Sequence, residues 1–179
     1  GLGRGVCCFV SGAGAHRDLH SFPPRRLPIY AWVDPEYKKR LLADAEAAFL
    51  ELGYDLPETS PTITVVENTN EVHNMAVCTL CSCFPRAIIG RPPAWYKELA
   101  YRSKVVVDPR GVLQEFGTVI DEAVQVKVID SSADYRYLVL PMRPAGTEGM
   151  TEEQLAELIT QESMIGVGLA LSPESVRAS

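Results

Sequence analysis

The chain has 179 residues and lacks long apolar runs, long basic runs and any leader-like segment. No apolar stretch approaches the roughly 20 residues that a membrane-spanning helix needs, and Val6 to Val10 is too short for the core of a signal peptide. The net charge is −6, and the longest basic runs are Arg25-Arg26 and Lys38-Lys39-Arg40, which argues against nucleic-acid binding. We therefore expect a cytoplasmic protein that binds neither membrane nor nucleic acid.

Cysteine is also scarce, with five residues in the chain, yet three of them fall within six positions as Cys78-Thr79-Leu80-Cys81-Ser82-Cys83. In a cytoplasmic protein, clustered cysteines bind metal more often than they form structural disulfides. We call residues 78–83 the cysteine loop. The remaining pair, Cys7-Cys8, is interpreted as incidental together with His16 and His20, because adjacent cysteines converge poorly on one ion.

The composition is 46% hydrophobic and 22% charged, which is typical of a globular protein with a substantial core. Residues 1–28 contain no sustained hydrophobic period and are predicted to form an N-terminal extension or arm. A single metal-binding catalytic domain is predicted over 29–171, followed by a C-terminal tail over 172–179. His73, five residues before the cysteine loop, is interpreted as a turn or core histidine, with a ligand role as the alternative.

Caps and periodicity predict both helices and strands. Asp34 and Pro35 begin a helix that is predicted to continue to Gly53. Further helices are predicted over 94–101, after Asp108-Pro109, and after the capping box that Thr151 begins. Strands are predicted over 62–67, 72–77, 124–128 and 135–140, with a hairpin loop over 130–134 and a final strand or packed tail over 164–171. The order of these elements favours an α+β fold.

The spacing of the cysteine loop points to one metal ion. A Cys-x-x-Cys-x-Cys run cannot form one helix face, whereas a tight loop can aim three sulfurs and the amides of Ser82 and Cys83 at one point. A zinc site or an iron–sulfur cluster would need a fourth ligand, and a disulfide would leave the third thiol unexplained. Three thiolates and two deprotonated amides suit a low-spin trivalent cobalt or iron ion and leave one position open for Lewis-acid chemistry.

The run Val-Cys-Thr-Leu-Cys-Ser-Cys at 77–83 resembles the metal-binding signature of nitrile hydratase α subunits. The resemblance extends over about residues 30–170 and implies an α+β fold with a layered α/β/β/α arrangement and flanking helices. The matching stretches are Pro92-Pro93-Ala-Trp95-Tyr-Lys97, Tyr101-Arg102, Asp108-Pro-Arg110, Val112-Leu113, Arg136-Tyr137, Leu140-Pro141, Arg143-Pro-Ala-Gly-Thr-Glu148-Gly149 and Met164-Ile165-Gly166.

The resemblance implies a ligand set. Cys78 would be the axial ligand, and Cys81 and Cys83 would form the equatorial plane with the amide nitrogens of Ser82 and Cys83. In the family, the cysteines matching Cys81 and Cys83 are oxidised to sulfinic and sulfenic acid, respectively. Thr79 matches the cobalt-type pattern, whereas iron-type members have serine there. We therefore expect one Co3+ per subunit rather than iron.

The resemblance also implies a lyase reaction, the hydration of a nitrile to its amide. The attacking oxygen would be either a hydroxide held by the metal or the Cys83 sulfenate. The Ser82 hydroxyl would face the substrate, and Asp130, Asp134 and Arg136 match an acidic and arginine group around the ligands. Asp134 stands where relatives have a longer glutamate, and it could pair with Arg136 on one strand face.

The implied pocket lies against a β-type partner, so the chain alone is expected to have little or no activity. A third γ chain and a metallochaperone or activator are further partners that the family implies. Arg86 stands where typical nitrile hydratases have tryptophan and thiocyanate hydrolases have arginine. An arginine suits an anion or a polar nitrile, such as a bulky nucleoside-like one. Thiocyanate hydrolase is therefore the enzymatic alternative, and a metal-binding or carrier module is the non-enzymatic one.

Overall fold

A computed structural model of the chain describes residues 25–177. Blocks of helices and pairs of strands follow one another in it, in agreement with the predicted α+β class. The elements are α1 (Arg26–Val33), α2 (Pro35–Ala43), α3 (Ala45–Glu51), β1 (Thr62–Glu67), β2 (Val72–Val77), α4 (Arg86–Ile89), a 3-10 helix (Ala94–Lys97), α5 (Leu99–Val107), α6 (Pro109–Glu115), β3 (Gln125–Asp130), β4 (Tyr135–Leu140), α7 (Glu152–Leu158), α8 (Gln161–Ile165) and α9 (Pro173–Arg177).

The four strands form two parallel pairs, β1 with β4 and β2 with β3. The hairpin predicted at 130–134 is therefore wrong, because this loop carries the chain from one pair to the other. Parallel pairing brings the carboxyl ends of β2 and β3 together, with Val77 opposite Asp130. The cysteine loop begins at that edge, directly after Val77.

Helices cover both strand pairs. Helices α2 and α3 contact β1, α8 contacts β4 and β2, and α6 contacts β3. The inward side chains of the strands join one buried cluster with these helices, including Ile63, Val65, Met75, Val77 and Leu138. None of the helices within residues 25–177 is long and apolar enough to cross a membrane.

The helix predicted from Asp34 to Gly53 is two helices. Asp34 caps α2 by accepting from the backbone N–H groups of Glu36 and Tyr37. Asp44 then has extended backbone angles and caps α3 by accepting from Ala47 N at 3.1 Å. Aspartate competes for nearby backbone donors and so favours caps over helix interiors, which explains the interruption.

The first described helix, α1, begins inside the predicted extension. Leu27 in this helix is fully buried, and the Arg25 guanidinium donates to the Ala156 carbonyl. The packed part of the chain therefore includes residues just before position 29. Cys7, Cys8, His16 and His20 lie outside the described residues, so the interpretation of the arm stays a prediction.

The capping signals are confirmed in the second half of the chain. Asp108 caps α6, and the capping box of Thr151 and Gln154 begins α7. The helix predicted over 94–101 is instead a 3-10 helix followed by α5. A final strand or packed tail is predicted over 164–171. In the structure, the first two of these residues belong to α8, and Gly166 ends that helix in the left-handed conformation. Residues of the predicted tail form the short helix α9.

His73 is a core histidine, as its preferred interpretation predicted. Its side chain is 3% exposed and lies between the Asn68 amide, 3.1 Å from Nδ1, and the Gly166 carbonyl, 2.7 Å from Nε2. Because a carbonyl can only accept, Nε2 carries the proton and Nδ1 accepts from Asn68. Both ring nitrogens are engaged, which leaves none for a metal.

We expect the stability of the chain to fall as the pH drops below the ordinary histidine value. Burial lowers the pKa of His73, so below its unfolded pKa the unfolded state binds more protons than the folded state. His73→Gln should cost about 1–3 kcal/mol at pH 7.5, because buried partners lose their hydrogen bonds. Urea unfolding at pH 5.0 and 7.5 should show a smaller pH effect in the variant. Equal pH effects in the two proteins would contradict this assignment.

Candidate metal centre

The cysteine loop brings its three sulfurs together at the carboxyl edge of β2 and β3. Cys78 is fully buried directly after the strand, whereas Cys81 is exposed at the turn. The Cys81 Sγ atom lies 3.3 Å from Cys78 Sγ and 2.9 Å from Cys83 Sγ. All three sulfurs lie within 4.8 Å of one another.

This spacing fits three sulfurs on one ion. Two sulfurs bound at about 2.3 Å lie about 3.3 Å apart at right angles and about 3.8 Å apart at the tetrahedral angle. The two shortest separations, 2.9 and 3.3 Å, are closer to the right-angled arrangement. Within residues 25–177, the cluster has three members and no fourth histidine, cysteine or carboxylate. A tetrahedral zinc site built from four side chains is therefore a poor fit.

Backbone N–H groups also point into the sulfur cluster. Cys81 N donates to Cys78 Sγ at 3.3 Å, and the backbone N–H groups of Ser82 and Cys83 lie beside the Cys81 sulfur, where they help to lower the pKa of its thiol. The two amides that the sequence predicted as nitrogen ligands thus face the sulfurs. Together with the thiols, they provide five possible donors around one point and suit an ion that accepts both sulfur and nitrogen.

The same contacts make the Cys81 thiol more acidic than the Cys83 thiol. Hydrogen bonds from the Cys83 and Cys78 thiols, and then from the loop amides, lower its pKa to about 7. Burial raises the pKa of Cys83, and the positive charge of Arg136 opposes this rise. A metal ion would displace the thiol protons, because thiolates are the binding form.

Asp130 anchors the first turn of the cysteine loop. Its carboxylate accepts from Thr79 N at 2.9 Å and from the Thr79 hydroxyl. The parallel register of β2 and β3 places Asp130 there, opposite Val77. Asp130 thus supports the loop through Thr79 and does not line the cleft beside the sulfurs.

The other two members of the predicted group are placed differently. Arg136 lines the cleft, whereas Asp134 precedes β4 and its carbonyl accepts from Thr62 N at 2.8 Å. Within the described part of the chain, Asp134 and Arg136 form no ion pair. Asp130 therefore contacts the cysteine loop at Thr79, and Arg136 lines the cleft. The Asp134 carboxylate does neither.

We expect Asp130→Ala to weaken metal retention. Losing two hydrogen bonds from a largely exposed carboxylate should cost about 1–2 kcal/mol, which corresponds to roughly a 5–30-fold weaker site. Metal content after dialysis against a chelator series is the measurement. Asp134→Ala is the matched control, because it removes a carboxylate of the same segment without touching Thr79. Equal retention in the two variants would contradict the anchoring role of Asp130.

Two loop contacts were missed from the sequence. Tyr96 is buried, and its hydroxyl donates to the Cys83 carbonyl at 3.0 Å. Arg102 Nη1 donates to the Cys81 carbonyl at 3.0 Å and to the Thr79 carbonyl at 3.4 Å. The only sequence signal was that Tyr96 and Arg102 belong to the stretches that resemble the family. Their contacts depend on how the 3-10 helix and α5 pack beside the loop.

A cleft of about 400 Å3 lies beside the sulfurs. Both polar and apolar side chains surround this cleft, and Arg86 at the start of α4 is exposed there. Within residues 25–177, neither Arg86 nor Arg136 has an ion-pair partner. The lining consists of Ser60, Pro61, Ile63, Cys81, Ser82, Cys83, Phe84, Pro85, Arg86, Ala87 and Arg136. Two arginines thus face a space in which a small molecule could reach the sulfur cluster.

The chain is similar to known proteins over most of its length. The family model described as "Nitrile hydratase, alpha chain" matches residues 16–168. The chain is 56% identical over 143 residues to the low-molecular weight cobalt-containing nitrile hydratase subunit alpha of Rhodococcus rhodochrous, which covers 80% of this chain and 69% of the relative.

More distant relatives include a thiocyanate hydrolase subunit and an Fe-type nitrile hydratase. The chain is 41% identical over 161 residues to the thiocyanate hydrolase subunit gamma of Thiobacillus thioparus, covering 84% of this chain and 66% of the relative. A solved structure of a double histidine variant of the Fe-type nitrile hydratase from Comamonas testosteroni Ni1 superposes with a TM-score of 0.80 at 45% identity. That match covers 87% of this chain and 77% of the neighbour.

Proposed function

The chain belongs to the nitrile hydratase α-chain family, and we propose that it is the metal-carrying subunit of a nitrile hydratase that uses trivalent cobalt. The observation that carries the proposal is the convergence of three sulfurs and two backbone N–H groups beside an open cleft. The reaction adds water across the triple bond of R–C≡N. One C–O bond forms, and both protons end on nitrogen in the amide R–C(=O)NH2.

The choice of cobalt rests on Thr79 and on relatives that are cobalt-containing. Iron is the alternative, because an Fe-type enzyme is among the similar structures. Cys78, Cys81 and Cys83 would hold the ion through sulfur, and Ser82 and Cys83 would hold it through backbone nitrogen. When bound, a trivalent ion with an open position supplies Lewis-acid polarisation of a nitrile or water.

The residues of this chain would orient the substrate around that position. The Ser82 side chain and the Cys83 segment line the cleft beside the exposed Cys81. Arg86 and Arg136 offer guanidinium donors to polar groups of the substrate. Asp130 keeps the loop in shape through Thr79, so its role is positioning rather than contact with the nitrile.

A β-type partner subunit is part of this proposal. Leu80 at the tip of the cysteine loop is 86% exposed, and Leu99 at the start of α5 is 70% exposed. Exposed large apolar side chains of this kind suit a surface that another subunit covers. We expect the isolated chain to have little or no activity, because the cleft stays open to water. A third γ chain, an activator protein and a cytoplasmic location remain predictions.

Thiocyanate hydrolysis is the second candidate function. Arg86, which lines the cleft and lacks an ion-pair partner within residues 25–177, suits an anion, and a thiocyanate hydrolase subunit is among the relatives. The same arginine suits a nitrile that carries a hydrogen-bonding group. The bulky, nucleoside-like nitrile predicted from the sequence stays a prediction.

The test is to purify the native complex after coexpression with its partner and activator genes. We expect stoichiometric cobalt, two added oxygens on Cys81 and one on Cys83 by peptide mass spectrometry, and hydration of nitriles. Thiocyanate turnover without nitrile turnover would favour the second candidate. Stoichiometric zinc without cobalt or iron would overturn the proposal. Rapid release of cobalt to a chelator would instead indicate a carrier module.

A further inference from the structure

Arg102 reaches the cysteine loop from a different element, one turn into α5. Its Nη1 atom donates to the carbonyl oxygens of Cys81 and Thr79, at 3.0 and 3.4 Å. Arg102 forms no ion pair within the described residues, so its charge is directed at the loop backbone and not at a carboxylate. The Nη1 atom carries two N–H donors, so one guanidinium nitrogen can hold both carbonyls at once.

The Cys81 carbonyl is the oxygen half of the peptide unit whose nitrogen belongs to Ser82. This unit is planar and trans, so its C=O and N–H point in opposite directions. Holding the oxygen toward Arg102 therefore turns the Ser82 nitrogen the other way. That other direction is the side of the sulfur cluster, because the Ser82 N–H lies beside the Cys81 sulfur.

We propose that Arg102 is a positioning residue that fixes the orientation of the Cys81–Ser82 peptide, and with it the direction of the Ser82 backbone nitrogen toward the metal. This inference rests on the proposed function, because it assumes an ion among the three sulfurs. Arg102 does not itself line the cleft, and its two hydrogen bonds go to loop carbonyls, so it acts through the loop backbone and not on the substrate.

The unpartnered Nε atom of Arg102 supports this positioning role. Its Nε atom is buried and has no hydrogen-bond partner among residues 25–177. A buried donor without a partner costs free energy, so the position of the Arg102 side chain is not explained by the hydrogen bonding of its Nε. The contacts that it does make go to the loop.

Charge provides a second reason. Three thiolates and two deprotonated amides would carry five negative charges, which exceeds the three positive charges of a trivalent ion by two. A fixed guanidinium hydrogen-bonded to the loop offsets part of this excess, and a hydrogen bond that involves a charged group is stronger than a neutral one. Arg102 would therefore favour the metal-bound loop both by orientation and by charge.

Tyr96 provides a matched control in the same loop. Its hydroxyl donates to the Cys83 carbonyl at 3.0 Å. The nitrogen of that peptide unit belongs to Phe84, which is not a predicted ligand. Tyr96→Phe therefore removes a carbonyl contact of the loop without releasing a ligand nitrogen, whereas Arg102→Met releases the Ser82 nitrogen.

The experiment compares purified metal-loaded complexes carrying Arg102→Met, Arg102→Lys or Tyr96→Phe with the wild type. For Arg102→Met we expect a shifted sulfur-to-metal charge-transfer band and at least tenfold faster metal loss to EDTA. Arg102→Lys keeps the charge but not the fork, and it should lose metal about threefold faster. Tyr96→Phe should keep the wild-type band.

A wild-type band and release rate in both Arg102 variants would overturn the inference. If Arg102→Met does not assemble, Arg102→Lys alone decides, because wild-type values there would also overturn it. A band shift in Tyr96→Phe as large as in Arg102→Met would overturn the specific role of the Cys81–Ser82 peptide. Failure of the proposed function would look different, since the wild-type complex itself would then hold neither cobalt nor iron.

Discussion

Replacing Cys81 with serine is expected to abolish tight metal binding and, with it, nitrile hydration. Cys81 Sγ lies between the other two sulfurs, at 3.3 Å from Cys78 and 2.9 Å from Cys83, so its loss breaks the cluster at its centre. A serine oxygen is a harder and weaker ligand for such an ion, and metal content should fall below about a tenth of wild type. Cys78→Ser and Cys83→Ser should behave alike.

Ser82→Ala is the control for this prediction. Ser82 is expected to bind the ion through its backbone nitrogen, which alanine retains, so cobalt should stay stoichiometric. The hydroxyl that lines the cleft is lost, so only turnover should fall. Metal analysis and nitrile hydration assays on the same preparations separate the two effects. Stoichiometric cobalt in any of the three cysteine variants would refute the assignment of that ligand.

The second large effect is expected at Arg86. Arg86→Trp replaces an exposed cation of the cleft with a large apolar surface, so polar or anionic substrates lose a charged donor while apolar nitriles gain contact area. We expect the ratio of kcat/KM between an apolar nitrile and a polar nitrile or thiocyanate to rise about 10–100-fold. Steady-state assays of the complex on matched substrates measure this ratio.

Arg91→Trp is the matched control, because Arg91 is exposed nearby but does not line the cleft. It should leave the substrate ratio near that of the wild type. An unchanged ratio in Arg86→Trp would place Arg86 outside the substrate path. In that case the arginine that this chain shares with thiocyanate hydrolases would carry no information about its substrate.

Several elements could be predicted because their causes are local in sequence. The caps at Asp34, Asp108 and Thr151 satisfy backbone donors within three residues, and all three are confirmed. The strand over 62–67 was also correct. The break at Asp44 was missed because the hydrophobic stripe continues across it, and helical periodicity does not report a local competition for backbone donors.

Strand pairing could not be predicted in the same way. The loop over 130–134 has the composition of a hairpin, yet β3 pairs with β2 and β4 pairs with β1, both in parallel. Turn residues indicate that the chain changes direction, but the hydrogen-bond partners of a strand can come from anywhere in the chain. The position of Asp130 beside Thr79 followed only from that pairing.

The sequence by itself determined the convergence of the three sulfurs, because thiols within six residues need only a local turn to meet at one point. It also determined the caps and the buried periodicity of the elements around them. The tertiary structure alone decided what holds and surrounds the cysteine loop. Asp130, Tyr96 and Arg102 come from 13 to 51 residues away along the chain, and Arg136 reaches the cleft from β4. Such contacts depend on packing between distant elements, which no local pattern encodes.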